Sequence, residues 1–127
     1  PNVASILFQE HEGSFLFGVI DGSMTKTNTI GFVFVMELPV IKRFEAGFKA
    51  GVQSVNPNAK VDALYVGDLN SVDKGKNAAS TLYNKNAVIV FHAAGLAGNG
   101  VFTEAKERKK NGDDVCVIGV DMDQSLT

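Results

Sequence analysis

His92, Asp121 and Asp123 are the residues of this sequence best placed to do chemistry, because each stands at the end of an apolar run. The segment His92-Ala-Ala-Gly95-Leu-Ala-Gly98-Asn-Gly100 joins a titratable ring to small residues. Small residues let the backbone approach a ligand, and N–H groups that open a following helix attract an oxygen-rich group. The glycine spacing 95, 98, 100 is not the dinucleotide fingerprint, so a plain tight turn onto a helix explains it equally. A carboxylate such as Asp121 or Asp123 accepts paired hydrogen bonds from sugar hydroxyls, or simply stands in solvent. His92 with Asp121 or Asp68 would make an acid–base couple, yet no nucleophile lies in a recognisable elbow. Ser5 and Ser14 lack supporting context, and His11 and His92 are too few for a catalytic zinc site. The pattern points to binding rather than to an enzyme, and it implies no cofactor and no metal.

Composition narrows the partners. The chain has 127 residues, 45% of them hydrophobic and 20% charged, with a formal net charge of −2. That is ordinary globular composition with no basic footprint for nucleic acid. The run Lys106, Arg108, Lys109, Lys110 is diluted by Glu104, Glu107, Asp113 and Asp114, and reads as a solvated helix end. A single cysteine, Cys116, excludes an intrachain disulfide and is expected to be a buried, inert thiol. No apolar stretch approaches the ~20 residues of a membrane span. The sequence opens at Pro1 without methionine or signal peptide, as a fragment or excised domain would.

Five apolar runs read as strands: residues 3–8, 30–36, 61–66, 87–91 and 115–120. Most are continuously apolar, as in parallel strands covered on both faces. Four helical segments alternate with them. In the first, Phe15, Leu16, Val19 and Ile20 share a face that is expected to point inward. The second starts at Pro39 and ends at Asn56-Pro57, with Gly47 and Gly51 expected to approach the sheet. The third carries Ala78, Ala79, Leu82 and Tyr83 behind an N-cap at Ser71. The fourth presents Val101, Phe102 and Ala105 and stops at Asn111-Gly112. This rhythm predicts an α/β fold in one domain: an open parallel five-stranded sheet of flavodoxin-like order 2-1-3-4-5, with helices on both faces. Ligands then bind beyond the carboxyl ends of the strands. There the sequence places Phe34, Val35, Met36, Leu96 and Met122, an apolar rim that reads either as strand running into the core or as an interface.

Several segments together carry a family resemblance. They are Asn2-Val-Ala-Ser-Ile-Leu-Phe8, Glu12-Gly-Ser-Phe15, Lys26-Thr, Gly31-Phe-Val33, Pro39-Val-Ile-Lys-Arg-Phe-Glu-Ala-Gly-Phe48, Tyr65-Val-Gly-Asp68, His92-Ala-Ala-Gly95 and Ile118-Gly-Val-Asp121-Met-Asp-Gln124. In order and spacing the chain resembles the middle and later part of the basic membrane lipoprotein family. Members are purine-nucleoside substrate-binding proteins of ABC importers, extracytoplasmic and lipid-anchored, with two flavodoxin-like lobes closing on the ligand. The resemblance implies an isolated second lobe without signal peptide or lipobox. It implies that Asp121 is a ribose ligand, that Gly95 and Gly98 belong to the family's glycine loop, and that Met36 is its methionine after a glycine pair.

The chain departs from that pattern at three places. Phe34-Val35 stands where the family has Gly-Gly, Met122 where a small residue separates the aspartates, and Cys116 where a tryptophan is frequent. The departures imply vestigial ligand residues and nucleoside binding that is weak or lost. They also imply resurfacing of an isolated lobe by engineering, with Phe34, Val35, Met36, Leu96 and Met122 as a homodimer surface, or filling of the former cleft by these large side chains. The alternative is a stand-alone flavodoxin-like scaffold or self-associating domain with no small-molecule function.

Overall fold

Apolar runs do become parallel strands here at four of the five expected places, buried at the centre of the sheet and partly exposed at its edges. The structure, a computed structural model, describes residues 2–125. The order is α1 (Glu10–Met24), β1 (Thr29–Phe34), α2 (Pro39–Val55), β2 (Lys60–Tyr65), α3 (Val72–Asn84), β3 (Ile89–Ala93), a 3₁₀ turn at Gly95–Ala97, α4 (Gly98–Lys110) and β4 (Cys116–Ile118). All strand pairs are parallel, in the order β2-β1-β3-β4. Ile30 of β1 sits opposite Val61 on one side and Ile89 on the other.

The α/β architecture agrees with expectation, but the sheet has four strands rather than five. Residues 3–8 do not join it. β1 holds the central place, hydrogen-bonded on both sides, so the doubly wound order begins at Thr29 and not at Val3. Residues 2–9 instead carry no regular structure and lead into α1, leaving Val3 at 84% and Leu7 at 88% exposed.

Two cores lie on opposite faces of the sheet. One is aliphatic: Val33, Val35 and Val90 meet Ala79, Leu82 and Tyr83 of α3 and Val101 and Ala105 of α4. The other is aromatic: Phe32, Phe34 and Phe91 meet Phe48 and Val52 of α2. The Phe32 ring lies edge-on to Phe48 at 5.0 Å and tilted against Phe91 at 4.7 Å. Burying each of these large side chains contributes roughly 1.5–3 kcal/mol relative to exposure. Phe34 and Val35, expected as rim or interface residues, are interior. Alternation along β1 sends Phe34 into the aromatic core, stacked on Phe32 and Tyr65, and sends Val35 into the aliphatic one. The strand runs deeper than an exposed rim would need.

Helix α1 is turned the other way from expectation. Its buried residues are Ser14, Gly18, Asp21 and Gly22, while Phe15, Leu16 and Ile20 are exposed. Contact with α2 is the cause. A Cβ at Gly18 would come within 2.1 Å of the Phe48 carbonyl, and one at Gly51 within 2.0 Å of the Phe15 carbonyl. Gly47 and Gly51 thus admit α1, not the sheet. Phe17 reaches across from α1 to the strands, with its ring 5.4 Å from Phe91. Cys116 is exposed rather than buried, because it opens the edge strand β4. The α3 cap is as expected, with the Ser71 hydroxyl accepting from the Lys74 N–H at 3.3 Å. At the opposite edge, on β2, Lys60 pairs with Asp62 at 3.1 Å. Among the described residues, no helix is long and apolar enough to cross a membrane.

Candidate functional site

The loops at the carboxyl ends of the strands are where an open parallel sheet binds ligands, and a cleft of about 740 Å³ opens there. Its walls are the start of α1, the first half of α2 and the turn that follows β4. Three aromatic rings line it: Phe8, Phe17 and Phe44. Three carboxylates line it as well: Glu10, Asp121 and Asp123. Gly13, Ser14 and Gly119 keep the remaining wall low. The size falls within the usual range for small-molecule sites.

Each group is placed by its element. Glu10 opens α1, where a carboxylate favours the positive end of the helix dipole. The Arg43 guanidinium of α2 donates to both of its oxygens, at 3.1 and 3.4 Å, and this pairing holds Glu10 below the usual carboxylate range. Phe44 follows Arg43 and packs its inner side against the aromatic core. Asp121 takes the left-handed conformation at φ 71°, which is uncommon outside glycine and sharply reverses the chain. The turn is closed by the Met122 N–H donating to the Val120 carbonyl at 2.9 Å. Asp123 accepts from Ser125, whose hydroxyl and backbone N–H lower its pKa.

Of the residues picked from sequence, Asp121, Asp123 and Met122 meet at this cleft, with Met122 75% exposed. Met36, Leu96, Gly95 and Gly98 are not among its lining. The glycine loop has internal duties. Gly95 adopts φ 57°, and a Cβ on Gly98 would lie 2.1 Å from the His92 ring. His92 is hydrogen-bonded to neither Asp121 nor Asp68, and Asp121 acts on it only through its charge. His92 is buried, its Nε2 lies 3.1 Å from the Gln124 side-chain oxygen, and burial lowers its pKa. Asp68 accepts from the Asn70 N–H at 2.9 Å, the main reason its pKa is lowered. The acid–base couple considered from sequence is therefore not assembled.

Sequence reasoning overlooked Phe8, Phe17, Phe44 and Glu10. Phe44 recurs at helical spacing with Phe48, so it reads as core, and half of it is. The usable signal was the opposite charge of Glu10 and Arg43 at the starts of two helices that must face one strand end.

Comparison with known proteins bears on the family and the fold. The family profile described as "ABC transporter substrate-binding protein PnrA-like" matches residues 1–127. A "CD4+ T-cell-stimulating antigen" of Listeria monocytogenes is 53% identical over 125 residues, covering 97% of this chain and 35% of that protein. An "ABC transporter nucleoside-binding protein" of Lactococcus lactis is 44% identical over 126 residues, covering 97% of this chain and 36% of that protein. Among solved structures, an ABC transporter solute-binding protein of Aeropyrum pernix superposes with a TM-score of 0.91 at 30% identity, over 97% of this chain and 36% of that one. The chain thus spans about a third of the length of the curated relatives it matches.

Proposed function

This chain belongs to the PnrA-like family of ABC transporter substrate-binding proteins, and from that premise we propose that residues 1–127 form one non-catalytic lobe whose cleft is one wall of a purine-nucleoside site. The carrying observation is the convergence of three aromatic rings and three carboxylates on the cleft beside the β4 turn. Aromatic faces stack on a purine at roughly 1–3 kcal/mol per base. Ionised carboxylates are pure acceptors, and vicinal ribose hydroxyls are paired donors that match them. Glu10 is neutralised by Arg43, but the negative charges of Asp121 and Asp123 repel a phosphate, so a nucleoside fits better than a nucleotide. Asp121 takes the ribose, with Asp123 and Glu10 beside it. Phe44 and Phe8 take the base.

Binding by this chain alone is weak, since a lobe supplies only one side of the contacts. Steric filling is not the cause, because Phe34 and Val35 point into the cores. The parent protein hands nucleoside to an importer from an extracytoplasmic, lipid-anchored position. The self-association reading keeps only Met36, Leu96 and Met122 as exposed rim residues. A mass measurement at millimolar chain concentration tests it, and a clean monomer removes it.

The nucleoside reading is tested by titrating labelled chain with inosine and with inosine monophosphate. Inosine is expected to shift the amides of residues 119–123 and the Phe44 ring, whereas the monophosphate binds at least ten-fold more weakly. Equal affinity for the two, or shifts confined elsewhere, overturns it.

A further inference from the structure

The β4 turn that carries Asp121 is not held by its own backbone alone. Gln124 reaches back over Asp121, Met122 and Asp123, and its side-chain oxygen accepts from the Val120 N–H at 3.1 Å. The same oxygen lies 3.1 Å from His92 Nε2. A main-chain N–H can only donate, so the atom facing Val120 is the amide oxygen. It follows that His92 Nε2 carries the proton and donates it to Gln124, leaving Nδ1 as the bare nitrogen. That nitrogen, an acceptor in this tautomer, is buried with no hydrogen-bond partner among the described residues.

Two glycines make room for the pair. A Cβ on Gly98 would stand 2.1 Å from His92 Cε1, and a Cβ on Gly119 would stand 1.9 Å from the Gln124 oxygen. Phe102 closes the other side, edge-on to the imidazole at 5.3 Å. An ordinary core histidine would need none of this, because a plain apolar ring would fill the same volume without leaving a buried nitrogen unpaired.

We propose that His92 and Gln124 are positioning residues: a buried latch that fixes the Asp121 turn in the orientation the ribose needs. This rests on the nucleoside reading above. The latch acts from beneath, on Val120, so it sets the carboxylate's direction without touching the ligand.

The test uses the labelled chain with Gln124→Ala and Gln124→Glu, both at a half-buried position that spares the cores. Nitrogen spectra of the unaltered chain are expected to show the Nε2–H tautomer at His92. Gln124→Ala is expected to speed hydrogen exchange at the Val120 amide at least ten-fold, and Gln124→Glu, which keeps an acceptor oxygen, to restore protection. Inosine is expected to bind Gln124→Ala several-fold more weakly, with 2′,3′-dideoxyinosine unaffected. An Nδ1–H tautomer, unchanged Val120 exchange in Gln124→Ala, or equal loss for both nucleosides overturns the proposal. An unaltered chain that takes up no inosine overturns the nucleoside reading and the ligand half of this one, while the exchange data still decide the latch.

Discussion

Helices α1 and α3 bury residues at the same spacing and to opposite effect. On α3 the buried set is Gly75, Ala79, Leu82 and Tyr83, and on α1 it is Ser14, Gly18, Asp21 and Gly22. Both helices use glycine to cross a neighbour closely: a Cβ on Gly75 would meet the Ala97 carbonyl at 1.8 Å, as one on Gly18 would meet that of Phe48. The difference lies in the last turns. Where α3 brings Leu82 and Tyr83 down onto the sheet, α1 brings a carboxylate and a glycine. Its large side chains are left outside. A tight helix crossing therefore does not by itself seal a face. The residues one turn further along decide whether it is sealed by apolar area or left with a buried charge.

The sharpest way to break the comparison is to remove that charge. Asp21 is fully buried, neither carboxylate oxygen has a hydrogen-bond partner among the described residues, and burial raises its pKa from 3.8 to about 7. Below the unfolded value the group is neutral in both states and costs no ionisation. As pH rises from there the unfolded chain ionises first, and the folded chain loses stability until its own carboxyl ionises near pH 7. The loss is then on the order of 4 kcal/mol. Urea unfolding of Asp21→Ala should therefore show a gain approaching that size at pH 8, shrinking towards pH 4. A gain independent of pH would mean that the site is not desolvated as described.

A smaller effect is expected at the crossing itself. Gly51→Ala places a methyl 2.0 Å from the Phe15 carbonyl, forcing α1 off α2 at a cost of ~1–3 kcal/mol, partly offset by the better helix propensity of alanine. The urea midpoint measures it, and a neutral result would show that α1 can shift freely. Smallest is the cap. Ser71→Ala should cost ~1 kcal/mol by loss of the Lys74 bond. Gln9→Ala, at the side-chain-uncapped start of α1, should cost nothing measurable in the same assay.

Strands β1 and β3 were legible because a run buried on both sides has no polar phase to hide it, and β2 and β4, partly exposed at the edges, because each still carries a short apolar run. Residues 3–8 carry the same signature and do not pair, since an apolar run states that it can be covered and not by what. The α1 face was misread for a related reason. Periodicity weights large side chains, while a glycine crossing is invisible until the partner helix is known. At the site, Asp121 was visible because it directly follows a strand. Phe44, Phe17 and Glu10 were not, because aromatic residues at helical spacing look like core and a lone glutamate looks like surface. His92 was visible as a residue but not in its role, which depends on Gln124 returning from 32 positions away.

The two sheet edges have a consequence for how the molecule behaves in a crowd. An exposed parallel edge is a template on which another chain can add a strand. At the β2 edge the Lys60–Asp62 pair places both charges where an incoming backbone would have to desolvate them. At the other edge β4 offers only three residues, Cys116–Ile118, too short a rail for a stable addition. Neither edge invites polymerisation, so aggregation of this chain, where it occurs, should begin instead at the exposed apolar residues 3–8 and not at the sheet.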